Sequence, residues 1–331
     1  MKLGIIGAGM IVKDFMTYLD RIENLEVRGI QDIELEGAQA LCERYGIGCA
    51  TTSFDELVAT GIDTVYVAVP NYLHFDYCKR ALERGLHVIV EKPMASTERE
   101  TRELAKLAKD RNLLIFEAVT TLYLGNYRKV QEWLPRIGSI KLVQSQHNQY
   151  SSRYDAFRAG HVLPAFDPAK SGGAMMDLGL YNLHFVMGLL GEPNDVRYTA
   201  NVERGVDTSG VLTLSYPNCT ALCVQAKDSK GPKGGTIQGT DGVIRTEWSP
   251  NVVGKATLEL YDGTTEEFDD GMALSRLLPE FTAFIDAIDR NDRGFCETML
   301  EKSIAVSRVQ TKARLMAGVR FPADDRMEIR P

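Results

Sequence analysis

Residues 86–95 read LHVIVEKPMA, an apolar run that ends on Glu91, Lys92 and Pro93. A buried-looking strand that stops on an opposite-charge pair has two readings. It is a strand that reaches the surface and turns, or it delivers a working lysine to the mouth of a cleft. A lysine with an ordinary pKa of about 10.4 is a poor base at neutral pH. Burial lowers that value, and a charged lysine polarises a carbonyl or lowers the pKa of a tyrosine beside it. Glu91 falls on the other side of the strand line, where it contacts a ribose or pairs with a surface base. Pro93 fixes the turn and admits a cis bond. A second set of reactive side chains lies in SGGAMMDLGLYNLHF, residues 171–185. Gly172 and Gly173 allow close backbone approach before a helix. Asp177, Tyr181 and His184 then follow at i, i+4 and i+7, on one helical face. His184 is expected to be a satisfied packing residue. For Asp177 and Tyr181 a functional role is favoured over packing.

A third feature is the glycine turn Gly7-x-Gly9 in GIIGAGMIV, directly after the first apolar run. Glycines there permit a tight turn and close approach of a pyrophosphate to backbone N–H groups. Met10 and Ile11 open the helix that follows. The third glycine of the dinucleotide fingerprint is replaced by Val12, which is expected to hold the helix off its strand or rotate it. Asp32 ends the second apolar run about 20 residues on, where a carboxylate binds both adenosine ribose hydroxyls. The same charge repels a 2′-phosphate, which favours NAD over NADP; Arg28 and Arg44 keep NADP open.

Five short runs position these residues: 2–9, 25–32, 63–70, 86–93 and 113–119. They are apolar on both faces, as buried parallel strands are. Amphipathic stretches at 33–46, 71–85 and 96–110 lie between them, the first two ending on Gly46 and Gly85 and the third opening on Ser96 as a helix cap. The alternation predicts a doubly wound α/β domain over 1–120. Beyond it, a helix near 126–134 is followed by alternating strands at 139–150, 196–203, 210–216, 220–228, 234–248 and 256–268. A helix at 172–190 interrupts them, and two more close the chain at 276–290 and 297–317. The first closing helix has an apolar stripe of Phe281, Phe284, Ile285 and Ile288. Residues 121–331 therefore read as an α+β substrate domain with a mostly antiparallel, open-faced sheet. A homo-oligomer, dimer or tetramer, through that sheet is expected.

The 331 residues suffice for two cores, and the 44% hydrophobic and 25% charged fractions are those of a globular chain. A formal net charge of −7 argues against nucleic-acid and anionic-membrane partners. No apolar run is long enough to span a bilayer. The glycines of MKLGIIGAGM suit a first strand and turn rather than a leader. Six scattered cysteines without a C-x-x-C, and five histidines without ligand spacing, predict reduced thiols, a cytoplasmic protein and no metal site.

Taken together, GIIGAGMI, VYVAVPNYLHFDYCKRALERGLHVIVEKPMAST and SGGAMMDLGLYNLHF resemble the glucose–fructose oxidoreductase, inositol dehydrogenase and rhizopine catabolism (Gfo/Idh/MocA) family over nearly the whole chain. QYSSRYDAF and FDPAKSGGAMMDLGLYN are similar to its branch of dimeric dihydrodiol dehydrogenases and xylose dehydrogenase-like proteins. The resemblance implies a Rossmann domain followed by an open-faced sheet domain. It implies a catalytic Lys92 that also touches cofactor ribose, Asp177 and Tyr181 as the acid/base pair, and Pro70, Asn71 and His74 beside the nicotinamide. The expected activity is NAD(P)-dependent hydride transfer to or from a sugar, polyol or diol. Substrate is expected between the domains, on Lys92, Asp177 and Tyr181, with Arg153 or Tyr154 reaching in. Cofactor is expected on Gly7, Gly9, Met10, Ile11, Asp32, Pro70, Asn71, His74, Glu91 and Lys92. A sugar- or nucleotide-sensing regulator on this scaffold would dispense with Lys92 or Tyr181, and both are present. A biliverdin- or imine-type reductase would take a larger apolar substrate than the polar QYSSRY segment suits.

Overall fold

The computed structural model describes residues 1–325, which form two compact units. The first comprises Met1–Ala118 and Leu277–Ile304. Its strands are β1 (Lys2–Ile6), β2 (Glu26–Gln31), β3 (Ala50–Thr51), β4 (Thr64–Val67), β5 (His87–Glu91) and β6 (Ile115–Ala118). All pair in parallel, in the order β3-β2-β1-β4-β5-β6. Val65, Tyr66 and Val67 of β4 and Val88, Ile89 and Val90 of β5 are fully buried, which accounts for runs that are apolar on both faces.

The helices of this unit are α1 (Met10–Met16), α2 (Leu35–Tyr45), α3 (Phe54–Ala59), α4 (His74–Glu83) and α5 (Glu98–Asp110). Gly46 ends α2 in the left-handed region, at φ +69°. The cap of α5 is Thr97, one residue beyond the expected Ser96: its Oγ1 accepts from Glu100 N at 3.2 Å, and Ser96 N donates to the Glu100 carboxylate at 3.1 Å. Val12 is completely buried, so a side chain fills the third fingerprint position. On the strands, Gly4 and Gly29 permit the close approach instead, because a Cβ on either would crowd the Leu57 side chain of α3.

The closing helix α9 (Leu277–Asp289) belongs to this first unit, not to the C-terminal one expected from the sequence. Its aromatic stripe decides the matter. Phe281 lies 4.1 Å from Phe15 and 5.0 Å from Tyr66 between ring centroids, and Phe284 stacks on Phe116 at 5.1 Å. The final helix α10 (Arg293–Met316) is assigned to the first unit as far as Ile304 and to the second from Ala305.

The second unit, Val119–Arg276 with Ala305 onward, holds an eight-stranded sheet. Its strands are β7 (Ile140–Asn148), β8 (Asp195–Glu203), β9 (Val206–Ser215), β10 (Thr220–Ala226), β11 (Lys233–Gly239), β12 (Gly242–Thr246), β13 (Ala256–Leu260) and β14 (Thr265–Phe268). The order is β14-β13-β12-β11-β7-β10-β9-β8, antiparallel throughout except for the parallel pair β7–β10. The runs at 234–248 and 256–268 are hairpins. Helices α6 (Gly125–Trp133) and α8 (Leu180–Leu190) share its core, and a short α7 (Tyr154–Arg158) lies in the loop after β7. Gly188 leaves room for Tyr127, whose hydroxyl donates to Phe185 O at 2.8 Å.

Among the described residues no helix is long and apolar enough to cross a membrane, and no cluster of three metal-ligating side chains is found. Phe281→Ala is expected to lower stability by about 3–5 kcal/mol in urea denaturation. An unchanged midpoint would detach α9 from the first core.

Candidate active site

Parallel strands bring their carboxyl ends to one edge, and a crevice opens there over β1, β2 and β4. Gly7, Ala8 and Gly9 line it after β1, Gln31, Asp32 and Ile33 at the end of β2, and Ala68, Val69 and Pro70 after β4. Strand order reverses between β1 and β4, the usual ligand position in such sheets. Gly7 has φ +109°, and a Cβ there would strike Ala68 O. Gly9 differs: its φ of −74° suits any residue, and nothing lies within 4 Å of the missing Cβ. The protein itself gives no reason for glycine at that position, whereas a ligand lying against the turn does. Asp32 braces the turn by accepting from Ala8 N at 2.6 Å and Glu34 N at 3.0 Å. Carboxylate oxygens have further lone pairs, so hydroxyl groups can still be bound. Gln31, which the sequence did not single out, is buried on the crevice wall with Oε1 lacking a partner. These residues fit a dinucleotide. Met10 is 71% exposed at the start of α1, and Ile11 is half-buried.

Lys92 follows β5 directly and is joined to Pro93 by a cis bond. Three neighbours hold this turn. Tyr66 donates to Glu91 Oε1 at 2.6 Å, so Glu91 meets a strand neighbour as well as whatever ligand it serves. Glu117 of β6 is buried, and its Oε1 accepts from Met94 N at 2.8 Å. His74 is fully buried, with Nδ1 2.7 Å from Pro93 O and Nε2 2.8 Å from Val69 O. A neutral imidazole carries one N–H, so the ring donates to one of these carbonyls and only lies against the other, packed between Val69 and the lysine turn. Burial pushes its pKa below the ordinary 6.5, against the upward pull of the two carbonyls. Both ring nitrogens of His74 thus face backbone oxygens. Asn71 opens the short helical turn Asn71–Leu73 just ahead of it.

In the second unit, Gly172 and Gly173 are demanded by packing: a Cβ on Gly172 would press on Pro164 O, and one on Gly173, at φ +128°, would strike Asp207. Residues Met175–Gly179 form a π turn before α8. Asp207 anchors it, accepting from Met175 N and from the Tyr198 hydroxyl, each at 2.7 Å. Burial pushes the Asp207 carboxyl up to about 6. Asp177 sits in the π turn with its side chain 36% exposed and pairs with Lys227 Nζ at 3.0 Å. Tyr181 is half-buried, its ring centroid 5.9 Å from that of His147. His184 is buried, as its packing role required. Of the three residues expected on one face, Asp177 and Tyr181 keep access to solvent and His184 does not.

Arg153 is half-buried at the start of α7. Tyr154, expected to reach substrate, is instead buried in an aromatic cluster with Phe157 and Phe166. Its hydroxyl donates to Glu203 at 2.8 Å, and burial together with that carboxylate pushes its pKa up to about 12. Lys227 was missed, yet it shares the signal of Lys92: a lysine one residue past the end of an apolar strand. Glu117 and Asp207 gave no such signal, being single acids inside strands.

Residues 1–119 match the oxidoreductase family with NAD-binding Rossmann fold, and residues 127–245 match the GFO/IDH/MocA C-terminal domain. The chain is 31% identical to scyllo-inositol 2-dehydrogenase (NADP(+)) of Bacillus subtilis, over 98% of this chain and 99% of that one. It is 25% identical to trans-1,2-dihydrobenzene-1,2-diol dehydrogenase of Mus musculus, over 98% and 99%. The fold matches the 3-ketoreductase KijD10 of Actinomadura kijaniata with a TM-score of 0.83 at 22% identity, over 97% and 98% of the two chains. The protein belongs to the Gfo/Idh/MocA family of dehydrogenases and reductases acting on CH–OH groups.

A histidine held neutral by burial contributes stability that is complete above its unfolded pKa and is lost as pH falls toward its lower folded value. The melting temperature is expected to fall as pH drops below 6.5, the ordinary value for His74. Subtracting the profile of His74→Gln should isolate this component. A difference that does not vary between pH 7 and pH 5 would contradict the buried neutral histidine.

Proposed function

We propose that this oxidoreductase transfers a hydride between nicotinamide and a carbinol or carbonyl carbon of a sugar, polyol or diol, with Lys92, Asp177 and Tyr181 as its reacting side chains. The observation that carries the reading is the common edge of one parallel sheet: the glycine turn, Asp32, Pro70 and Lys92 all follow strands that end there. When bound, the nicotinamide supplies the two-electron acceptor or donor. In oxidation the carbinol carbon gives up a hydride and its hydroxyl gives up a proton. Tyr181, reacting as its phenolate, takes that proton, Lys92 supplies positive charge to the reacting oxygen, and Asp177 orients the hydroxyl groups. In reduction the same groups act in reverse. Arg153 provides a further polar contact. The substrate class draws support from relatives named for an inositol and a dihydrodiol.

NAD is the favoured cofactor and NADP the competitor. Among the described residues the crevice lining includes the Asp32 carboxylate and no lysine or arginine, a poor setting for a 2′-phosphate. Arg28 pairs with Glu26 at 2.7 Å, and Arg44 lies over the Tyr45 ring at 5.3 Å. The protein works as a homo-oligomer, dimer or tetramer, through the sheet of the second unit.

A panel of sugars, polyols and diols screened with both nucleotides tests substrate class and cofactor together. The kcat/KM for NAD should exceed that for NADP, and Asp32→Ser should narrow the ratio; a native preference for NADP would reverse the assignment. On the best substrate, Lys92→Ala should lower kcat by about 100- to 10,000-fold while nucleotide binding remains measurable. Tyr181→Phe should slow turnover and remove a limb of its pH profile. Full activity of Lys92→Ala, or an unaltered profile in Tyr181→Phe, would transfer the role to another group.

A further inference from the structure

Lys227 is buried at the end of β10, with only 2% of its side chain exposed. Its Nζ pairs with Asp177 Oδ2 at 3.0 Å and donates to Ala165 O at 2.8 Å. The ammonium also lies 4.5 Å from the centroid of the Phe166 ring. The backbone of the same residue reaches two more segments: Ser151 N donates to Lys227 O, and Lys227 N donates to Thr208 O, each at 2.8 Å. Ser151 in turn receives Arg153 N on its Oγ at 3.3 Å. The strand end thus gathers residues 151–153, 165–166 and 177, which include two expected substrate contacts.

A buried ammonium is costly unless oxygen atoms and a ring face meet it. For stability alone, an apolar side chain of similar volume often serves as well. This ion pair also has one wet end, because the Asp177 side chain is 36% exposed while Lys227 is not. The pair therefore presents an oriented carboxylate outward from a fixed inner cation. A carboxylate on a short side chain has few rotamers, and the ammonium selects one of them.

We infer that Lys227 is a positioning residue for substrate: its buried ammonium sets the direction of the Asp177 carboxylate. The inference rests on the proposed role of Asp177. It is tested on the whole enzyme by steady-state kinetics with the substrate turned over best. Lys227→Met keeps the aliphatic stem and removes the charge. Its kcat/KM for the carbinol substrate should fall by about 100-fold, the scale of a small misplacement of a reacting group. The KM for the nucleotide should stay within about twofold. Lys227→Arg, which keeps the cation, should recover part of the loss. In combination with Asp177→Asn, Lys227→Met should cost little beyond the Asp177→Asn single variant. Wild-type turnover by Lys227→Met beside an impaired Asp177→Asn, or losses that multiply in the double variant, would overturn the inference. If Lys227→Met does not fold, the cycle run with Lys227→Arg decides by the same criterion. Full activity of Asp177→Asn would instead remove the proposed role of Asp177, and the inference with it, a result distinct from either.

Discussion

Parallel strands all end at the same side of their sheet, and hydrogen-bond register fixes how far each one reaches. β1 pairs on one side with β2 and on the other with β4, and β4 pairs with β5. The glycine turn, the Asp32 carboxylate and the lysine turn therefore emerge along one edge. None of them could shift alone, because a strand cannot slip without moving its buried side chains out of the core. The central strands, apolar on both faces, are what make that register expensive to alter.

Polar groups placed inside such a core must find partners, and the partners here are mostly backbone atoms near the reactive turns. His74 spans Val69 and Pro93, Glu117 takes Met94 N, and Asp207 takes Met175 N. Each would cost a few kcal/mol if left unsatisfied, about 1–3 for a neutral group and more for a charged one. The consequence is that both turns are braced from within. The turn carrying Lys92 and the turn carrying Asp177 are both held by buried side chains from neighbouring strands or helices.

Much of this was legible in the chain. Apolar runs located the main strands, glycines marked the helix ends, and the spacing from Gly7 to Asp32 picked out residues that line one crevice. The family motifs reached the same fold independently. What could not be read has physical reasons. The two-residue strand β3 has no apolar run to announce it. The stripe on α9 says that the helix covers a core, but not which one; ring contacts with Phe15, Tyr66 and Phe116 settle that in three dimensions. Tyr154 looked like a ligand contact because its neighbours are polar, yet it turns inward to Glu203. Lys227 carried the same strand-end signal as Lys92, but a lysine followed by Asp228 reads as a solvated end until its surroundings are seen.

The first unit is discontinuous in sequence, since Leu277–Ile304 complete it after the second has been laid down. During synthesis, Phe15, Tyr66 and Phe116 leave the ribosome more than 150 residues before Phe281 and Phe284 arrive to cover them. The second unit waits as well, because Val306, Val309 and Ala313 belong to its core. Translation order and completion order are thus uncoupled, and a chain cut short before its last two helices would leave aromatic surface on the nucleotide-binding unit open to chaperones or to aggregation.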